Sequence, residues 1–250
     1  MERRAGGSRH LPLIARLLVR PKGLREHPLM SPNGRARLLE LSKLNDIQVP
    51  SVHGYYQPEE QYAKDILDIV NATAEIRAKV VLISFFHEKK LGATPDATWE
   101  RAHSLLSRAA SAAKDAGIQL GIETELPAAT LVEFIEHALV PEAFGVYYDL
   151  GNQFACGFPV AEEIRMLKDR VVGVHVKDRL PNTTPEIESK SVPLGEGCAD
   201  FKSAFAALRD IRYTRPLILQ GAGGEDGKEL ERNKQYRDFT ENIAQKVWQN

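Results

Sequence analysis

The sequence predicts an α/β fold in which helices cover a parallel β-sheet. Six short apolar segments, near residues 47, 80, 118, 145, 171 and 216, have the character of strands, and each precedes a stretch with helical periodicity. Regular alternation of strand and helix is typical of parallel sheets. The segment KVVLISFF at 79–86 is apolar throughout, which indicates a strand buried on both faces.

Local signals place the elements in chain order. Ser31 can cap a first helix that begins at Pro32, and Asp200 can cap a later helix that runs to residue 210. The first helix has an apolar face formed by Ala36, Leu38, Leu39, Leu41 and Leu44. We expect strands at 47–53, 79–86, 118–123, 145–149, 171–176 and 216–220, helices at 58–77, 96–116, 128–139, 160–168 and 228–248, and a turn at Gly151-Asn152.

Eight such units would close a (β/α)₈ TIM barrel, and the sequence shows six clear ones. Room for two more strands exists only in residues 1–30, which contain six arginines (Arg3, Arg4, Arg9, Arg16, Arg20 and Arg25) and no convincing strand followed by a helix. Either this segment supplies poor substitutes or the barrel is incomplete. We interpret residues 1–30 as displaced or degenerate first units and residues 31–250 as the barrel. An arginine-rich targeting peptide is the weaker interpretation because serine is scarce.

Composition excludes several classes of function. The chain has 33 Lys+Arg and 34 Asp+Glu residues, so its net charge gives no general attraction to nucleic acid or to anionic membrane. A local basic patch is not excluded by this count. No apolar run approaches the roughly 20 residues of a membrane span, and Arg16 interrupts the N-terminal apolar patch, which argues against a secretory signal. Cys156 and Cys198 are too few for a disulfide scaffold, so we expect a reducing cytoplasm.

Polar residues follow three consecutive predicted strands at a regular interval. Glu123 to Asp149 is 26 residues, and Asp149 to His175 is again 26 residues. This interval fits one strand, one helix and two short loops, so parallel strands would bring the three side chains to the same rim. Two carboxylates and an imidazole that converge in this way predict a divalent-metal site.

Four segments carry a family resemblance: GIE at 121–123, YDLGN at 148–152, HVKD at 175–178 and VPLGEG at 192–197. Together they resemble the xylose-isomerase-like TIM barrels, and within these the sugar and sugar-phosphate isomerase/epimerase group. The resemblance covers residues 31–225. It implies one divalent ion, most often manganese, with magnesium, cobalt or zinc as alternatives. It also implies a small sugar or sugar phosphate as substrate, and a homodimer or homotetramer.

The resemblance assigns the metal ligands Glu123, Asp149 and His175, with the fourth position on Gln220. In the family, glutamates at the first and fourth positions also move protons on opposite faces of a carbon beside the carbonyl. Glu123 therefore becomes the expected acid/base. Gln220 can ligate through its amide oxygen but cannot take a proton, which puts epimerisation by two bases in doubt.

Further residues are candidates for substrate binding. By resemblance, Asn152 contacts sugar hydroxyls. Lys177 can bind a sugar phosphate or pair with Asp178, and Glu196 lies between two glycines that allow close approach of a ligand. The remaining candidates are His53 and His87, because each lies at the end of a predicted strand on the same rim. The glycines of 221–224 lack a following Lys-Ser/Thr, which excludes a nucleotide P-loop.

Three functions follow from these observations. The first is a metal-dependent isomerase or epimerase of a ketose or ketose phosphate. The second is a catalytically impaired barrel that binds a sugar or a partner protein, which Gln220 favours. The third, a DNA-repair endonuclease of the same fold, needs many more histidines and a basic face, and the sequence offers neither.

Overall fold

The computed structural model describes residues 17–19, 24–183, 189–222 and 227–249. Five of the six N-terminal arginines and the glycines at 223 and 224 lie outside these ranges. The strands are β1 Leu17–Val19, β2 Ser51–Tyr55, β3 Val80–Ser84, β4 Gln119–Glu123, β5 Phe144–Asp149, β6 Val171–Val176, β7 Asp178–Arg179, β8 Ser191–Val192 and β9 Leu217–Leu219. The helices are α1 Pro32–Leu44, α2 Gln61–Glu75, α3 Ala97–Ala116, α4 Ala128–Glu136, α5 Leu150–Ala155, α6 Val160–Leu167, α7 Phe201–Asp210 and α8 Glu229–Trp248.

Within the described residues, seven strands form one parallel sheet in the order β1-β2-β3-β4-β5-β6-β9. Neighbours in the sheet are also neighbours in sequence, apart from the small antiparallel pair β7-β8, and a helix follows each strand. This is the winding of a (β/α)₈ barrel with one strand fewer than eight. The α/β barrel prediction is therefore confirmed, with seven parallel strands in the described part of the chain.

The main difference from the sequence-based expectation lies in the N-terminal segment. Leu17–Val19 pairs in parallel with Val52–Gly54 of β2 and so occupies a barrel position, where we expected no convincing strand. A three-residue strand has almost no periodicity of its own. Its position depends on pairing with β2, which lies more than thirty residues further along the chain.

Two expected boundaries were wrong for local reasons. The strand expected at 47–53 begins at Ser51, because Pro50 has no N–H to donate to a ladder, while its carbonyl accepts from the Lys79 N–H at 3.1 Å. The turn expected at Gly151-Asn152 is instead part of α5. The Asp149 carboxylate accepts from the Asn152 N–H and starts the helix directly after β5.

The apolar residues form two layers, as a barrel requires. The larger core lies between the sheet and the helices, and a smaller cluster fills the barrel interior, formed by Val80, Leu82, Tyr147, Val172 and Ile218. Ser31 caps α1 as expected, but the apolar face of this helix is only partly used. Leu38 and Leu39 pack against the core, whereas Leu44 is 76% exposed.

Candidate metal centre

The carboxyl ends of three adjacent strands bring Glu123, Asp149 and His175 together. Glu123 ends β4, Asp149 ends β5, and His175 is the penultimate residue of β6. The pairing register sets Asp149 directly opposite His175. Side chains that alternate across each strand then point these groups into the barrel.

The three side chains are in direct contact. Nδ1 of His175 lies 2.7 Å from Oε1 of Glu123 and 3.6 Å from Oδ2 of Asp149. One potential ligand atom from each residue lies within 4.8 Å of the other two. All three residues are buried, with exposed fractions of 4%, 3% and 0%. The arrangement suits a divalent cation with oxygen and nitrogen ligands.

The electrostatics of the cluster favour the charged forms of Asp149 and His175. Burial acts to raise the pKa of Asp149, but the contact with His175 and the nearby Lys177 ammonium outweigh burial and hold this pKa below its ordinary value. Burial acts in the opposite direction on His175, yet Glu123 and Asp149 hold the imidazole pKa above its ordinary value. The site therefore favours positive charge between its two carboxylates.

Two buried oxygens test whether the residues fit a metal ion. Oδ2 of Asp149 and Oε1 of Gln220 are buried and have no hydrogen-bond partner among the described residues. Gln220 directly follows β9, and its backbone N–H donates to the Val176 carbonyl at 3.0 Å, which fixes it beside β6. A buried oxygen without a donor is costly unless a cation or a ligand contacts it. The donor set therefore fits a divalent ion.

Asn152 and Lys177 extend the cluster towards solvent. The Asn152 N–H donates to Oδ1 of Asp149 at 2.9 Å, and Nζ of Lys177 donates to Oδ1 of Asn152 at 3.0 Å. Nζ of Lys177 also lies 3.7 Å from Oδ2 of Asp149. The expected alternative for Lys177, a pair with Asp178, is therefore wrong, because the lysine contacts Asn152 and Asp149 instead.

The family can now be assigned. A model of the xylose isomerase-like TIM barrel family matches residues 17–242. The chain belongs to this family. The match includes β1, all three residues of the cluster and Gln220, so the N-terminal strand belongs to the family fold as well.

Curated relatives match a shorter part of this chain than the family model does. The putative L-ribulose-5-phosphate 3-epimerase SgbU of Escherichia coli (strain K12) is 36% identical over 78 residues, which are 31% of this chain and 27% of the relative. The chain thus aligns with about a quarter of that relative's length. The L-ribulose-5-phosphate 3-epimerase UlaE of Salmonella paratyphi C is 37% identical over 84 residues, 34% of this chain and 28% of the relative.

Solved structures confirm the xylose isomerase-like fold over nearly the whole chain. A xylose isomerase domain protein from Planctomyces limnophilus superposes with a TM-score of 0.72 at 17% identity, covering 94% of this chain and 90% of that one.

Among the described residues of our chain, no helix has the length and apolar character to cross a membrane.

Asp178 is a site residue of this barrel whose role was not visible in the sequence. It is 1% exposed, and its carboxylate accepts from four backbone N–H groups. The donors belong to Arg179, Gly195, Gly197 and Ala199, at 2.9–3.1 Å. Asp178 therefore fixes the PLGEG loop to the end of β6. Glu196, a predicted substrate contact, is exposed in this loop.

Arg179 and Glu125 form a second polar group, which the sequence pattern did not indicate. Arg179 is 1% exposed, and its Nη1 donates to Oδ1 of Asn152 at 3.0 Å and lies 3.5 Å from Oε1 of Glu125. Oε2 of Glu125 pairs with Lys90 at 3.1 Å. These contacts join the loops after β3, β4 and β6 around Asn152. Single-sequence patterns contain no signal for them, because the partners are 27–54 residues apart.

The two histidines predicted to line the pocket have different positions. His53 is buried in β2, and its Nε2 lies 2.8 Å from Oγ of Ser84, which the sheet register places opposite Glu123. His53 thus lies in the second strand from β4, which carries Glu123. His87 is exposed in the short 3₁₀-helix His87–Lys89.

Proposed function

We propose that this protein is a divalent-metal-dependent isomerase or epimerase of a ketose or ketose phosphate. The observation that carries the proposal is the buried cluster of Glu123, Asp149 and His175 at the carboxyl edge of a xylose isomerase-like barrel. Gln220 is the proposed fourth ligand, through its unpartnered amide oxygen. Manganese is the proposed metal. Cys156 and Cys198 are free thiols, which supports a cytoplasmic location.

Each residue has a distinct proposed role. A bound divalent ion supplies Lewis acidity at the substrate carbonyl oxygen, which acidifies the neighbouring C–H bond. Glu123 takes the proton from that carbon and returns it. Asn152 and Lys177, linked to each other and adjacent to Asp149, are placed to bind substrate hydroxyl or phosphate oxygens. Gln220 orients the substrate but cannot move a proton.

One observation favours a second function, a barrel that binds a sugar without converting it. Inversion at a carbon requires proton removal on one face and delivery on the other, and only Glu123 offers a carboxylate in the two family acid/base positions. The absence of one general acid/base group costs roughly 10²–10⁴ in rate. Proton exchange or isomerisation on a single face remains within the capacity of Glu123.

Metal binding is the first test of the proposal. Elemental analysis and manganese titration of the full-length chain should give about one ion per chain, and His175→Ala should lose it. The matched control is His137→Ala, which removes an exposed imidazole directly after the C-terminus of α4 and should leave the stoichiometry unchanged. Failure of the wild type to take up any divalent ion would remove both the metal site and the proposed enzyme.

Substrate chemistry is the second test. L-ribulose 5-phosphate is the first compound to assay, because relatives over about a third of the chain carry the name of its 3-epimerase. The manganese-loaded protein should exchange the C–H proton beside the carbonyl with D₂O, detected by ¹H NMR. Glu123→Gln should abolish this exchange and keep the metal, because the amide oxygen can still ligate. Saturable binding without exchange would instead support the sugar-binding function.

A further inference from the structure

A large cavity opens at the end of the barrel opposite the metal ligands. Its volume is about 940 Å³, within the range of small-molecule pockets. It is lined by residues at the amino ends of β2, β3, β4, β6 and β9 and by the C-terminal part of α1. The metal-ligand cluster lies at the carboxyl ends of the same strands, so the two sites are separate.

The floor of the cavity is apolar. Val80, Tyr147, Val172 and Ile218, which belong to the inner barrel cluster, form it. The Tyr147 hydroxyl lies 3.2 Å from Oγ of Ser51, which gives the floor one polar point. Such a surface accommodates an aromatic or aliphatic body and disfavours a fully hydrophilic sugar.

The mouth of the cavity is positively charged. The cavity lining includes four exposed cations, which are Lys43, Arg77, Lys79 and Arg215. Among the described lining residues, Asp46 is the single carboxylate. Four cations and one carboxylate give a formal charge of +3. Potential of one sign at a cleft with low-dielectric walls attracts ligands of the opposite sign.

These cations differ from their neighbours on the same end of the barrel. Lys114 and Arg170, just outside the cavity, are paired with Glu142 at 2.5 Å and Glu136 at 2.9 Å. Within the described ranges, the lining residues Lys43, Arg77 and Lys79 have no such ion pair. The described lining residues therefore leave the mouth of the cavity with a net positive charge that favours an anionic ligand.

We propose that this cavity binds a small organic phosphate with an apolar body. The apolar part packs on the floor formed by Val80, Tyr147, Val172 and Ile218, and the phosphate contacts the cations at the mouth. Tyr147 lies between the two sites, because its ring also contacts the ring of His175, with centroids 4.7 Å apart. A ligand here contacts the residue on which the metal-binding imidazole rests.

The experiment uses the full chain and the fluorescent probe 1-anilinonaphthalene-8-sulfonate, an apolar body with an anionic group. We expect saturable binding that Lys79→Glu/Arg215→Glu weakens at least tenfold. The matched control Lys64→Glu/Lys202→Glu makes the same change in net charge at exposed positions of α2 and α7 and should stay within twofold of wild type. Circular dichroism verifies that both variants are folded.

Competition defines the ligand class. Phenyl phosphate should displace the probe, and phenol at the same concentration and ionic strength should not. Equal weakening in the two double variants, equal displacement by phenol, or no saturable binding would each overturn the proposal. The probe is titrated in EDTA without added metal or sugar, so saturable binding does not require the proposed metal site or its chemistry. The result therefore stands apart from the outcome for the proposed enzyme.

Discussion

Restoring a carboxylate at position 220 is the sharpest test of the proposed chemistry. Gln220→Glu changes one amide into a carboxylate at a position whose backbone is fixed by the hydrogen bond to Val176. The substitution keeps the buried amide oxygen and replaces the amide NH₂ by a second oxygen, and no hydrogen bond of the Gln220 side chain to a described residue is lost. The substitution therefore adds a proton acceptor with little rearrangement.

The expected gain follows from the proton-transfer step. If Glu123 is the single base of the wild type, epimerisation lacks one general acid/base group, worth roughly 10²–10⁴ in rate. This corresponds to about 2.7–5.4 kcal/mol of transition-state stabilisation. Gln220→Glu should raise the epimerisation rate by that factor. It should also tighten metal binding, because the formal charge of the four ligands changes from −2 to −3.

The assay follows a ketose phosphate in D₂O by NMR and separates two events. Exchange with retention of configuration reports a single base, and appearance of the epimer reports two. The wild type should give exchange without inversion, and Gln220→Glu should give both. Gln245→Glu, at an exposed glutamine of α8 outside the metal set, controls for the added charge. Wild-type epimerisation at the rate of Gln220→Glu would refute our assignment of the missing base.

Three further predictions concern the structure around the site. Asp178→Ala leaves four backbone N–H groups without their charged acceptor and should lower the free energy of unfolding in urea by at least about 3 kcal/mol. The control Asp200→Ala removes the cap of α7 and should lower it by about 1 kcal/mol. Equal losses would show that Asp178 does not hold the loop. Gly173→Ala would place a Cβ against the Tyr147 ring, which is confined by His175, and should cost about 1–3 kcal/mol in the same assay; an unchanged midpoint would contradict this packing. Burial raises the pKa of the Cys156 thiol to about 11, so in a Cys198→Ser background iodoacetamide at pH 8 should alkylate the native protein about two orders of magnitude more slowly than the urea-unfolded chain. Similar rates in the two states would show that Cys156 is not held in its buried environment.

The sequence was sufficient where periodicity and position along a strand determine the outcome. The parallel α/β barrel follows from alternation, and the convergence of Glu123, Asp149 and His175 follows from their place at strand ends. Ser31 and Asp200 cap helices as expected, because capping depends on a few adjacent residues. These features require no knowledge of distant contacts.

Contacts between distant segments account for what the sequence did not show. Asp178 accepts hydrogen bonds from a loop 17–21 residues further along the chain. In the sequence alone, this residue cannot be distinguished from a solvent-exposed aspartate. β1 exists through its pairing with β2. Leu44 fits an amphipathic helix pattern but projects beyond the core, because α1 has no fully buried residue. In each case tertiary contacts, rather than local preference, decide the environment.

Gln220 connects the two candidate functions, because binding and proton transfer place different demands on it. A buried amide oxygen without a hydrogen bond costs about 1–3 kcal/mol, and coordination of a cation or contact with a ligand donor offsets that cost. Its burial therefore supports a site that binds, in an enzyme and in a sugar-binding barrel alike. Metal content alone cannot separate the two functions. Proton exchange can, because it depends on Glu123, and inversion then shows whether one carboxylate is enough.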